Sequence, residues 1–309
     1  MRSPCIPRIG YLRMDVGRLG QIFVKGLGNN QTLPRLAALS RQMSYFFKVY
    51  LNSLAENRQD NLPKPSETVK CLTQKHRSNL VFIYAGGDDL FVSGTWNEVV
   101  EFAFDVYQCF RVYTGKNPDI TLSGGISLVD IKFPLYQAAD ESGDAEDAAK
   151  GNGRDSLSLF GQVFKWDEWL GIEDITVIDE EIRKYLSIET VPELFCTFSF
   201  VKRLNQSEIN YSRNFIRNLL ITAQVQEQMI KEIKNKTPDY KNAIRYYLHL
   251  PKVASTLARL PNHVREQTNF IPVRTSLKSP YNAPYFRAIA TWLDLLNRSP
   301  KHDTTTQQT

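Results

Sequence analysis

Two apolar runs, Leu80-Val81-Phe82-Ile83-Tyr84 and Leu90-Phe91-Val92, flank Ala85-Gly86-Gly87-Asp88-Asp89. Strand-like segments joined by a glycine-containing turn predict a β-hairpin, which commits any sheet the chain builds to antiparallel pairing. Around it, Ile9 to Met14 predicts a strand ending at Asp15, and Leu19 to Phe23 begins a helical turn. Thr32-Leu33-Pro34 opens a long helix, with Leu36, Leu39, Met43, Phe46, Phe47 and Tyr50 at steps of three and four. Glu56 to Ser78 is polar, carries Pro63 and Pro65, and predicts a long loop. Thr95-Trp96-Asn97-Glu98 has the form of a capping box and opens a helix to about Tyr113. Thr121 to Leu128 predicts a further strand, Leu135 to Lys150 a helix, and Ser156 to Phe160 an edge strand. This order favours an α/β (α+β) unit, an antiparallel-containing sheet with helices on one face.

After Trp166 strand signals become rare, and Ser207 to Lys236 and Tyr281 to Asn297 read as helical. At 309 residues and 42% hydrophobic, the chain exceeds one typical domain and can bury a sizeable core. The expected organisation is an α/β domain over 1–170, an all-helical domain over 171–300 and a loose tail over 301–309. Residues 1–195 hold 21 Lys+Arg against 26 Asp+Glu, whereas residues 196–309 hold 17 against 7. That basic excess points to nucleic acid or an acidic protein neighbour, or simply to a solvated surface. Lys202, Arg213, Arg217 and Arg259 there alternate with Tyr211, Phe215, Tyr246 and Tyr247, aromatics expected to be core more often than RNA-stacking. No apolar run approaches the roughly 18 residues of a membrane span and no secretory leader is evident, so a cytoplasmic protein with no membrane partner is expected. Cys5, Cys71, Cys109 and Cys196 lie far apart, which suggests small buried hydrophobes rather than zinc ligands or disulfides.

The hairpin turn carries the chemistry. Asp88 and Asp89 can converge on one ion only if the turn twists the backbone, which Gly86 and Gly87 would permit, and glycines also let phosphate oxygens come close to the main chain. Asp15 would neighbour them if the first strand lies beside the hairpin. Three crowded carboxylates repel unless cations share them, and Mg²⁺ suits such oxygen ligands while leaving positions for substrate phosphates. Two such ions about 3.5 to 4 Å apart could activate a 3′-hydroxyl and steady a leaving pyrophosphate. Taken alone, Gly86-Gly87-Asp88-Asp89 is more often an ordinary turn, because Gly and Asp are both turn formers.

The complete pattern is more specific. Tyr84-Ala85-Gly86-Gly87-Asp88-Asp89-Leu90-Phe91, preceded by Arg13-Met14-Asp15-Val16 and Leu19-Gly20 and followed by Leu122-Ser123-Gly124-Gly125-Ile126, resembles the catalytic palm of the large subunit of type III (Csm-type) CRISPR effector complexes. Pro134-Leu135-Tyr136-Gln137-Ala138-Ala139, Ala149-Lys150 and Ser158-Leu159-Phe160-Gly161 extend the agreement over about residues 9–170. The resemblance implies a cyclase- or polymerase-type, ferredoxin-like palm. It also implies a metal-dependent nucleotidyltransferase that joins ATP into cyclic oligoadenylates, working in antiviral defence with guide RNA, target RNA and other CRISPR effector subunits. Carried onto this chain, Asp15, Asp88 and Asp89 match the carboxylates for two Mg²⁺ (or Mn²⁺) ions, with Asp88 and Asp89 catalytic. Gly86 and Gly87 match the turn that admits the triphosphate. Ser123 and Lys150 match the nucleotide side, although Lys150 is also favourable at a helix C-terminus on its own account.

The chain departs from that family in places. Where the family has Asp-x-Asp-Asn-Leu-Gly, this chain has Asp15-Val16-Gly17-Arg18-Leu19-Gly20, so Asp15 must serve without a second acid. Gly151-Asn152-Gly153-Arg154-Asp155 replaces a Lys-Asn-rich stretch. The family's HD nuclease domain, first palm and zinc module have no counterpart, so DNA cleavage is not expected and the chain reads as a fragment, a split-gene product or one half that needs a partner. His76, His249, His263 and His302 are expected to be structural or solvated. Two alternatives stand beside the synthase: a scaffold with a degenerate palm that holds RNA and neighbouring subunits, and, ranked lowest, a stand-alone diguanylate-type cyclase.

Overall fold

A computed structural model of the chain describes residues 8–26, 28–65, 68–171, 197–206, 212–236, 250–278 and 280–298. Cys5, Cys196, Tyr211, Tyr246, Tyr247, His249 and the tail 301–309 lie outside the described residues. The chain divides into two compact units, one spanning Pro7–Trp166 and the other running from Asp167.

In the first unit β1 (Arg8–Val16), β2 (Leu80–Ala85), β3 (Asp89–Thr95), β4 (Leu122–Asp130), β5 (Ser156–Leu159) and β6 (Gln162–Lys165) form one sheet in the order β2-β3-β1-β4-β5-β6. The central β1 runs antiparallel to both β3 and β4, while β4 and β5 are parallel. Ser156 to Leu159, expected at the edge, is internal: β6 pairs on its outer side and all four residues are buried. A short polar-alternating strand gives no sign of a further partner only two residues ahead.

Between β1 and β2 lie α1 (Leu19–Lys25), α2 (Leu33–Tyr45), α3 (Leu51–Glu56) and α4 (Arg58–Asn61), with a π-helical stretch Phe46–Tyr50 joining α2 to α3. Only the second half of the predicted long helix packs. Phe46 and Phe47 are buried against Phe110 of α5 (Trp96–Tyr113), at ring distances of 5.2 and 6.2 Å, whereas Met43 is the single buried residue of α2. Helix α5 is apolar almost all round, as a core helix must be. Fully burying a side chain such as Phe102 or Val106 stabilises the fold by about 1.5–3 kcal/mol. Its predicted capping box opens the helix without closing as a box: Glu98 accepts from the backbone N–H (2.8 Å) and side-chain amide (2.7 Å) of Asn79 instead.

Helices cover both faces of the sheet, contrary to the one-face expectation. Gly10 of β1 leaves room for Trp96 and Val99 of α5, whereas Gly125 of β4, paired with Arg13, lies under Ala145 and Glu146 of α6 (Leu135–Gly151). Residues 10 and 13 point to opposite faces of one strand, so α5 and α6 do as well. The β3–α5–β4 and β4–α6–β5 connections cross the sheet in one direction and therefore have opposite hands. The usual preference for right-handed crossovers would have placed the two helices together.

The predicted loop 56–78 is anchored rather than solvated. Arg58 forks onto Asp105 of α5 at 2.7 and 2.8 Å, and Arg77 reaches Glu101 at 2.7 Å and Asp105 at 3.2 Å, with all four side chains buried. Cys71 and Cys109 are buried free thiols, as expected.

The second unit contains α7 (Trp166–Leu170), α8 (Phe198–Gln206), α9 (Arg213–Lys236), α10 (Leu250–Ala258), α11 (Asn262–Arg265), α12 (Ile271–Lys278) and α13 (Phe286–Arg298), and no strand among its described residues. Trp292 meets Trp169 and Phe198 edge-on in its core, and Phe215 is buried, so that aromatic is core as expected. The helix predicted from Tyr281 begins only at Phe286; Pro280–Tyr285 is a 3₁₀ turn containing Pro284, which has no N–H to continue an α-helix.

Candidate active site

The end of β1 and the start of β3 bring two distant carboxylates into one cross-strand row. Asp15 pairs with Asp89 on one side and with Ser123 on the other, so all three side chains share the face covered by α6. Asp88 sits in the turn beside them, which is pinned by Val16 N–H donating to Asp88 O (3.1 Å) and Gly86 N–H donating to Asp89 O (2.8 Å). Burial, then the charges of Asp15 and Asp89, push the Asp88 carboxyl above its ordinary range. Negative charge at this turn is thus under-compensated.

The turn does not work as the sequence suggested. Neither Gly86 nor Gly87 has a positive φ, so their role is not backbone twist. A Cβ at Gly86 would overlap the Asp89 carboxylate and lie 2.5 Å from the Tyr84 hydroxyl, whereas one at Gly87 would meet only Ser44 Oγ at 3.5 Å. Gly86 is therefore glycine for close packing, and Gly87 leaves the turn open to a ligand. Tyr84, whose hydroxyl bonds the Asp89 carboxylate, reaches this position through a β-bulge: Phe82 pairs with Val92 but Tyr84 pairs with Phe91. Asp89's charge, chiefly, raises the Tyr84 phenol above its usual range.

From the other side α6 contributes a cation and a further acid. Lys150 Nζ lies 2.8 Å from Asp15 Oδ2 and 2.9 Å from Glu146 Oε1. Burial alone would lower the Lys150 ammonium, but hydrogen bonds to Asp15 and Glu146 outweigh it and hold the group above the ordinary lysine range. Burial also raises the Glu146 carboxyl, offset in part by Lys150. Sequence reading missed Glu146; its signal was the four-residue step to Lys150 on a predicted helix. Gly125 makes the approach possible, because a Cβ there would stand 2.5 Å from the Ala145 carbonyl carbon and force α6 off the sheet. Arg13, Asp15, Tyr84, Asp89, Glu146 and Lys150 line a cleft of about 270 Å³, with the Arg13 guanidinium 5.0 Å above the Phe91 ring.

Ser123, at the far end of this row from Asp89, is fully buried, and its Oγ has no hydrogen-bond partner. At the position of the missing second acid, a Cβ at Gly17 would overlap the Thr121 hydroxyl and come within 3.1 Å of Arg154 Cδ, so a side chain there would have to displace both. Arg154 packs there, away from the residues that line the cleft.

Asp15, Asp88 and Asp89 are hard oxygen donors, and with the orphaned Ser123 hydroxyl beside Asp15 they fit a divalent cation in kind. Among the described residues, however, no three His, Cys, Asp or Glu side chains already converge on one ion-sized point. Lys150 neutralises Asp15 in their place.

Residues 8–158 match the family model for Cas10/Cmr2, second palm domain. This part of the chain belongs to that family. The palm's wider surroundings agree: the chain is 32% identical over 244 residues to the Streptococcus thermophilus CRISPR system single-strand-specific deoxyribonuclease Cas10/Csm1 (subtype III-A), covering 76% of this chain and 29% of that protein. With the Mycobacterium tuberculosis protein of the same name it shares 36% over 197 residues, 59% of this chain and 22% of the relative. The crystal structure of Csm1 in T. onnurineus superposes over 94% of this chain and 38% of that one, with a TM-score of 0.61 at 22% identity. A Csm1–Csm4 cassette in complex with cA4 gives 0.58 at 22% identity, over 93% of this chain and 36% of that one. The chain thus spans between about a fifth and two fifths of the length of these relatives. Among the described residues no helix is long and apolar enough to cross a membrane.

Proposed function

We propose that this palm is a nucleotidyltransferase that joins ATP into cyclic oligoadenylates within an RNA-activated type III CRISPR antiviral complex. The observation that carries this reading is the cross-strand row Asp89–Asp15–Ser123, with Asp88 at its turn and Lys150 held against Asp15. In each transfer the 3′-oxygen of one adenosine bonds to the α-phosphorus of the next ATP, the bond from that phosphorus to the pyrophosphate oxygen breaks, and the hydroxyl proton is lost to solvent or a nearby base. Bound Mg²⁺ or Mn²⁺ would acidify the 3′-hydroxyl and neutralise the leaving pyrophosphate. Asp15, Asp88 and Asp89 would hold the ions, and the open side of Gly87 admits the triphosphate. Lys150, beside Asp15, would pair with a phosphate oxygen of the triphosphate while Glu146 keeps its ammonium in reach. Tyr84 orients the Asp89 carboxylate.

Solved Csm1–Csm4 cassettes of the same fold carry ATP, pppApA or cA4, which supports ATP as the substrate class and a Csm4-type subunit as a partner. Guide RNA, target RNA and other effector subunits complete the proposed assembly. One observation favours the rival scaffold reading: the carboxylates do not converge on one point and Asp15 is already paired with Lys150. The two separate on a single experiment. A complex containing this chain, given target RNA, ATP and Mn²⁺, should make cyclic adenylates, and Asp88→Ala with Asp89→Ala should abolish them. Equal product from the variant would leave only the scaffold.

A further inference from the structure

The helical unit carries a cleft of about 380 Å³ between the first half of α9 and the end of α10. Ser212, Asn214, Arg217 and Asn218 line it from one side, Thr256 and Arg259 from the other, and among the described residues no carboxylate is in its wall. Arg217 and Arg259 are both exposed and have no ion-pair or hydrogen-bond partner among the described residues. This contrasts with Arg287 and Arg298 of the same unit, which pair with Glu227 and Asp294 at 2.7 Å each. Two cationic side chains lining one cleft, with no described carboxylate beside them, favour the entry of an anion.

We infer that this cleft binds the phosphodiester backbone of single-stranded RNA. A guanidinium fork matches two phosphate oxygens, and arginines on opposite walls can grip one phosphate or two in succession. The neutral lining supplies further donors, and the side-chain amides of Asn214 and Asn218 can both donate to and accept from a ribose 2′-hydroxyl. Ser212 caps α9, its Oγ accepting from Phe215 N–H at 3.3 Å, so the positive end of a long helix adds to the field. Among the described residues of the wall the one aromatic ring, Phe215, is 2% exposed and unavailable for stacking, so the grip they offer is on the backbone. The excess of 17 Lys+Arg over 7 Asp+Glu in residues 196–309 extends the attraction beyond the cleft, as a polyanion requires and a single protein carboxylate does not.

The inference rests on the reading of RNA as a partner but not on catalysis by the palm, so the two fail separately. The test uses the full chain and a fluorescein-labelled oligouridylate longer than about 16 nucleotides, the upper site size of common single-strand binders, with anisotropy read between about 50 and 200 mM salt. Arg217→Ala with Arg259→Ala should weaken binding by about tenfold or more at low salt, since each arginine makes charge-assisted bonds. The slope of log affinity against log salt should fall by about 1.4, or about 0.7 for each lost phosphate contact. A control pair that removes two exposed cations of the other unit, Lys25→Ala with Lys48→Ala, should change neither by as much. Unchanged affinity and slope, or an equal loss in the control, overturns the proposal. So does displacement of the RNA by polyglutamate at equal charge concentration, which would make the cleft a dock for an acidic protein.

Discussion

Asp88 bears the electrostatic cost of the palm's acidic turn. Its carboxyl is raised by burial first and by Asp15 and Asp89 next, from an ordinary value of 3.8. The folded chain therefore holds a proton at Asp88 more tightly than the unfolded chain. The stability this confers is present below 3.8 and is lost as pH rises through the folded value, which leaves an ionised Asp88 as a destabilising group at neutral pH. Asp88→Asn should raise the thermal midpoint at pH 7 without divalent ions, and the gain should vanish below about pH 3.8; a variant no more stable than wild type at pH 7 contradicts the argument. Gly86 sets a second constraint. In Gly86→Ala the new methyl must displace the Asp89 carboxylate and the Tyr84 hydroxyl, both ends of side chains that can yield. Folding should change by about 1 kcal/mol or less, as for most substitutions that touch no core. Mn²⁺ affinity, read by electron paramagnetic resonance, should drop about 10- to 100-fold, the usual effect of disturbing the groups that orient a metal ligand.

At the scale of elements, α5 does more than fill the core. Glu101 and Asp105 lie one turn apart among buried residues that are otherwise apolar, and they hold Arg77 and Arg58 of the preceding segment in a closed set of buried pairs. Asp105→Ala leaves two buried guanidinium groups short of a partner and should cost about 3–5 kcal/mol in urea unfolding. Arg287→Ala breaks a half-exposed pair with Glu227 and should cost less than about 1 kcal/mol. Equal losses from the two would show that burial does not set the strength of these pairs. On the opposite face α6 is the element that completes the cleft, and its seat depends on Gly125 rather than on anything within the helix itself.

For the molecule as a whole, the division near Asp167 separates a near-neutral α/β unit, with 18 Lys+Arg against 17 Asp+Glu over Pro7–Trp166, from a helical unit whose basic excess lies in residues 196–309. Each has its own buried aromatic core, Phe46, Phe102 and Phe110 in the first and Trp169, Phe198 and Trp292 in the second. Calorimetry of the full chain should resolve two transitions. Asp105→Ala should lower one of them and Trp292→Ala the other, by several degrees each, because about 1 kcal/mol shifts a domain of this size by roughly 2–8 °C. A single transition moved by both substitutions would mean one cooperative unit.

Local pattern was enough for the hairpin, for the strand ending at Asp15 and for helices α5 and α6, because apolar periodicity and turn residues act over a few neighbours. The register of Asp15 against Asp89 was anticipated only through family likeness, since nothing in a strand's own sequence names its partner. Glu146, Tyr84 and the buried Arg58–Asp105 pair were out of reach for the same reason: a bulge, a crossover of unexpected hand and a loop folded back onto a helix bring together residues far apart in the chain. Which side chains exist, and which segments can be strand or helix, was written in the sequence. Which carboxylate meets which ammonium was decided by packing of the sheet's two faces, where contact depends on three-dimensional approach and not on spacing along the backbone.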